Sequence, residues 1–188
     1  EDGAKVGHAN SLPGFAPFVR GARASGYVGR PWDVSQEIGC SSAAEFNDAA
    51  RAGLQRGLTA LNMVVDMATR KGADPDWAVP SEVGAGGLSV ATLSDLERAL
   101  EGIDLERVPL FVRSGASGMP FAALLAALVR KRGLDLGRVR GCIEVDPLGV
   151  LAHEGRLPQS MEGAYREMAA LTEWAAARAP GLQTICVH

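Results

Sequence analysis

Pro109-Leu110-Phe111-Val112-Arg113, the loop from Gly115 to Gly118, and Gly141-Cys142-Ile143-Glu144-Val145 decide the fold. Each five-residue run is short and largely apolar, which reads as a strand. Between them Phe121, Leu124, Leu125 and Leu128 recur at helical spacing. Pro120 is expected as the first helical residue and Gly133 as the residue just past the helix end. Strand, helix and strand in this order call for parallel pairing through a right-handed crossover.

The same alternation extends outward. Upstream, Leu61-Asn62-Met63-Val64-Val65 reads as a strand, and downstream Thr184-Ile185-Cys186-Val187 reads as the last one. Ser42 with Glu45, and Ser94 with Glu97, have the spacing of capping boxes opening helices. Ser160 is expected to cap a helix carrying Tyr165, Met168, Leu171 and Ala175, ended by Pro180 and Gly181. Residues 1–40 are rich in Gly and Pro without a sustained period and read as an extended arm, leaving 41–188 for the α/β domain. Four strand units make half of a parallel (β/α) barrel of the TIM type, or one small open sheet; length alone favours the open sheet.

Hydrophobic residues make up 47% of the 188, which argues against a disordered chain. A net charge of −3 gives no reason to expect nucleic acid or an anionic membrane as partner, and no apolar run reaches membrane-spanning length. Cys40, Cys142 and Cys186 are odd in number and widely spaced, so they read as reduced thiols of a cytoplasmic protein, with neither disulfides nor a metal site. The absent initiator Met and the stop directly after an apolar run suggest a piece of a longer chain.

Two segments near the start carry a resemblance. Pro13-Gly14-Phe15-Ala16-Pro17-Phe18-Val19-Arg20-Gly21 and Tyr27-Val28-Gly29-Arg30-Pro31-Trp32-Asp33-Val34-Ser35-Gln36-Glu37 are similar, in frame, to the PGxxPFxRGxxxTMYxGRPWTxRQYAGF opening of the methylmalonyl-CoA mutase family. Gly57 to Asp66 resembles GQTGLSVAFD, Thr69 to Asp76 resembles THRGYDSD, and Gly141 to Asp146 resembles GTIQND. The matches run through all four strand units and favour the half barrel over the open sheet. The resemblance implies carbon-skeleton rearrangement of an acyl-CoA with adenosylcobalamin, the thioester threading the barrel axis. It also places the family's tyrosine–histidine pair beyond His188, and the cobalamin motif DxHxxG does not occur in these residues.

The departures from the family pattern are chemically pointed. Ser35 and Glu37 stand where the family has an Arg and a Tyr beside the substrate, so no catalytic residue is assigned. Alternate strand residues of a barrel point inward, and the family lines its axis with Ser, Thr and Ala. The inward set is expected to be Asn62, Val64, Asp66, Phe111, Arg113, Cys142, Glu144 and Cys186. Phe111, Arg113 and Glu144 then replace Ser, Thr and Gln and plug the axis, with Arg113 and Glu144 forming an ion pair because an unpaired buried charge is costly. By resemblance, Ser25, Tyr27 and Arg30 are candidate CoA contacts, although Tyr27 and Trp32 also suit a packing role.

Other candidates have plainer readings. Asp74, Asp76 and Glu82 read as a solvated loop, and Gly84-Ala85-Gly86-Gly87 lacks the Lys and setting of a phosphate loop. Glu37 reads as a solvated charge, and His8 and His153 have no partner at ligand spacing. Three functions follow. The first is a catalytically silent small subunit that supports a cobalamin-binding catalytic mutase partner in a heterodimer. The second is part of an active acyl-CoA mutase of altered specificity, and the third a standalone α/β binding module.

Overall fold

The computed structural model describes residues 10–187; His8 and His188 lie outside them. The chain divides into two compact units, Glu1–Asp33 and Val34–His188. Within the first, the single helical turn α1 (Gly26–Gly29) interrupts the arm that the sequence reads as extended.

The second unit is a five-stranded, all-parallel sheet in the order β1-β2-β3-β4-β5: Glu37–Ile38, Leu61–Val64, Leu110–Arg113, Gly141–Val145 and Leu182–Ile185. Three of the four expected strands stand where the short apolar runs put them. The last runs two residues earlier, and β1 was hidden in the arm because two residues give no period. Helices α2 (Ala43–Gln55), α4 (Leu93–Ala99), α5 (Gly118–Lys131) and α7 (Met161–Arg178) fill the crossovers. Two shorter helices follow strands directly: α3 (Met67–Arg70) after β2, and α6 (Pro147–Glu154) after β4.

Local signals explain most boundaries. Ser42 Oγ accepts from Glu45 N at 3.3 Å to start α2, and Ser160 Oγ accepts from Gly163 N at 3.1 Å to start α7. The box opening α4 is Thr92 with Asp95, two residues before the expected Ser94 and Glu97, because Thr92 keeps the extended backbone that an N-cap needs. Helix α5 begins at Gly118, so Pro120 is its third residue, where its missing N–H would have had no intrahelical partner. Gly133, at φ +68°, sits just past the α5 C-cap Arg132, as expected.

All this packing is on one side of the sheet. Leu61, Met63, Leu110, Val112 and Ile143 are buried in a core with Phe46, Leu96, Phe121, Leu125 and Leu171 from the helices. The alternating residues Asn62, Phe111 and Cys142 face the other way, as period-two geometry requires. A doubly wound sheet carries helices on both faces, whereas a barrel wall carries them only outside. Sequential strand order with one-sided helices therefore identifies a partial barrel wall of the TIM type; the sheet is not closed.

Candidate functional site

The register arranges the face opposite the helices in rows. Glu37, Asn62, Phe111, Cys142 and Gln183 are successive cross-strand partners, and Val64, Arg113 and Glu144 form the next row toward the strand C-termini. Two members of the expected inward set are displaced. Asp66 has left the strand to cap α3, and Gln183 rather than Cys186 stands opposite Cys142, because β5 starts early and the β4–β5 ladder is irregular beyond Cys142.

Arg113 also has an ion-pair partner that the sequence reading did not give it. Arg113 and Glu144 are adjacent in register, and Arg113 Nη1 donates to Glu37 Oε1 at 2.8 Å. Strands β1 and β3 lie two spacings apart, about 9.6 Å. The two long side chains therefore reach across β2, over Asn62 and Val64. Sequence reasoning missed the contact because it placed Glu37 in the arm, where no register could be assigned. Asn62 Oδ1, on the same face, is buried without a hydrogen-bond partner.

Glu144 and Cys142 are buried on this face. Burial, with smaller effects from the Glu144 carboxylate and from Cys186, pushes the Cys142 thiol up to about 12. Burial likewise raises the Cys186 thiol, together with Glu144 and Asp146. All three cysteines are free thiols. Among the described residues no group of three or more His, Cys, Asp or Glu could hold a metal ion, and no helix is long and apolar enough to cross a membrane.

At the C-terminal ends of β2, β3 and β4 the segments that follow enclose a cleft of about 850 Å³. This is the end at which (β/α) barrels place their functional groups. Arg70 and Lys71 come from the end of α3, Arg113 and Gly115 from the end of β3, and Glu144 and Asp146 from the end of β4. Helix α6 and the following loop supply His153, Glu154 and Arg156.

Buried polar contacts fix these segments. Asp66, with no exposed surface, accepts from Thr69 N and Gly84 N, both at 2.7 Å, joining α3 to the loop that returns to the sheet. Ser114 Oγ donates to the Glu144 carbonyl at 2.9 Å, and Ser117 Oγ to the Thr69 carbonyl. Gly115 has φ +59°, and a Cβ there would come within 2.7 Å of the Arg70 carbonyl oxygen, so only glycine lets this turn lie against α3. Lys71 Nζ meets Glu82 Oε1 at 2.6 Å and lies 4.0 Å from Glu154 Oε2, tying the β2 side of the cleft to α6. Glu82 thus has a structural partner that its reading as a solvated loop residue did not include.

Sequence reasoning missed α6 and with it one wall of the cleft. The signal was present: Asp146-Pro147 supplies a cap and a first-turn proline, and Gly155 at φ +71° ends the helix. Within the first unit, Tyr27 and Trp32 stack edge to face with centroids 5.4 Å apart, and Arg30 lies 3.6 Å from Asp33. Ser25 is the N-cap of α1 but makes no side-chain cap.

Comparison with known proteins agrees with this geometry. The sequence matches the methylmalonyl-CoA mutase family over residues 1–188. It is 31% identical over 188 residues to the methylmalonyl-CoA mutase of Rhizobium meliloti, covering all of this chain and 26% of that protein. It is 33% identical over 140 residues to the probable methylmalonyl-CoA mutase large subunit of Mycobacterium tuberculosis, covering 74% of this chain and 19% of the relative. It is 33% identical over 138 residues to the 2-hydroxyisobutanoyl-CoA mutase large subunit of Aquincola tertiaricarbonis, covering 73% and 25%. The chain thus spans about a quarter or less of the length of these relatives. With the parallel strand order, the one-sided helices and a sequence match along its whole length, the chain belongs to the methylmalonyl-CoA mutase family.

Proposed function

We propose that the chain is barrel wall of a catalytically silent mutase subunit that supports a cobalamin-binding catalytic partner in acyl-CoA isomerisation. The observation that carries this reading is the Glu37–Arg113 ion pair at 2.8 Å. By resemblance both positions depart from the family pattern, one from Tyr and the other from Thr, and the replacements meet each other across the face where a thioester would lie. Phe111 and the buried Glu144 add bulk and charge to that face. Family membership removes the ground for a module with no mutase connection.

Adenosylcobalamin belongs, in this reading, to the partner. No step is therefore assigned to the cofactor here. Ser25, Tyr27 and Arg30 are kept as proposed CoA contacts; Tyr27 stacks edge to face on Trp32 and both rings are largely exposed.

The test is multi-angle light scattering of the full chain mixed with a cobalamin-binding mutase subunit, with methylmalonyl-CoA turnover measured for each alone. A stoichiometric complex in which this chain alone is inactive supports the proposal. Absence of any complex overturns it. A second reading, an active mutase of altered specificity, is favoured by the 850 Å³ cleft and by the relative named for 2-hydroxyisobutanoyl-CoA. Turnover by this chain with adenosylcobalamin would select it.

A further inference from the structure

The Glu37–Arg113 contact has the form of a site already holding a ligand. Arg113 lines the cleft with its side chain 39% exposed, and one of its five N–H donors is given to a carboxylate. That carboxylate comes from β1, a two-residue strand at the sheet edge, and the Glu37 side chain is 55% exposed. The contact can therefore open without disturbing the helix-covered core. An ion pair this exposed is held closed over open by only about twofold to fivefold.

We propose that Arg113 is the anchor of an anion site in the cleft, and that Glu37 is its built-in competitor. The ligand class follows from the surroundings. A single carboxylate replaces Glu37 charge for charge. Arg70 and Arg156 line the cleft and make no ion pair among the described residues, while Lys71 is engaged by Glu82. Trp77, Val79, Leu157 and Pro158 give the cleft an apolar flank. The site therefore suits a monocarboxylate with a short apolar tail. A bound carboxylate takes the guanidinium, Glu37 swings to solvent, and no covalent step is involved. The assignment goes beyond the silent-subunit reading and stands whether or not the assembly turns over.

The experiment is an NMR titration of the full chain, ¹⁵N-labelled at arginine, with butyrate as probe and butyramide as its neutral counterpart. Glu37→Gln removes both the competitor and its repulsion, and butyrate affinity is expected to rise about fivefold to tenfold. Arg113→Gln in the Glu37→Gln background is expected to abolish binding. Arg113→Lys, which keeps the charge and loses the planar fork, is expected to weaken it severalfold. Unchanged affinity in Glu37→Gln overturns the proposal, as does binding that survives Arg113→Gln or is matched by butyramide. If Arg113→Gln fails to fold, the Arg113→Lys titration decides: affinity equal to that of Glu37→Gln alone overturns the proposal.

Discussion

Replacing Asp66 tests how the cleft wall is held. Its carboxylate has no solvent exposure and accepts two backbone N–H bonds, from Thr69 and Gly84, each 2.7 Å long. A hydrogen bond to a charged group contributes about 1.5–3 kcal/mol, and a buried donor left without a partner loses the full desolvation term. Asp66→Ala orphans both donors, so a loss of about 3–5 kcal/mol is expected. Asp66→Asn keeps one acceptor oxygen and sets an amide NH₂ against the other backbone N–H, for about 2–3 kcal/mol. Urea unfolding followed by circular dichroism reads this as a midpoint lowered by about 1.5–2.5 M for Asp66→Ala and about 1–1.5 M for Asp66→Asn, taking a slope near 2 kcal/mol per molar. Hydrogen exchange at the Gly84 amide should accelerate by more than global unfolding explains, because that amide loses its acceptor directly. An Asp66→Asn protein within about 0.5 kcal/mol of wild type would refute the reasoning, since surface substitutions alone reach that size.

Two further outcomes follow from burial. Phe121 is 2% exposed between helix α5 and the core, so Phe121→Ala should cost about 3–5 kcal/mol in the same urea experiment. Cys142 is neutral in folded and unfolded chains below its ordinary value of 9.0. Above that value the unfolded thiol ionises while the folded one, raised to about 12, does not. Stability should therefore fall as pH climbs from about 9 toward about 12, and Cys142→Ala should flatten that part of the pH profile; iodoacetamide at pH 8 should label Cys40 well before Cys142.

Strands of four or five largely apolar residues were readable from the sequence because packing against the helices demands apolar side chains. Leu110 and Val112 are buried beneath the helices while Phe111 and Arg113 face away, as the pattern of that run implies. What escaped was short or relational. Strand β1 is two residues long and exists only by pairing with β2, through Glu37 with Asn62 and Ile38 with Met63. The partner of Arg113 could not be read because it depends on that register. Neighbouring strands suggested Glu144, and the structure adds Glu37 from beyond β2. Asp66 illustrates the same limit: alternation carried it into the inward set, although its position before a four-residue helix makes it a cap. The cleft was half visible. Arg113 and Glu144 were singled out, while Lys71 and its link toward α6 required the third dimension.

The central claim is that no acyl-CoA thioester reacts on the face of this sheet opposite the helices. Its most direct test is methylmalonyl-CoA turnover by the full chain assembled with a cobalamin-binding mutase subunit and adenosylcobalamin, comparing wild type with Phe111→Ala. If the face is silent, kcat/KM of the two assemblies agrees within about twofold. A change of about tenfold or more would mean that Phe111 borders the reacting thioester, and would contradict the account.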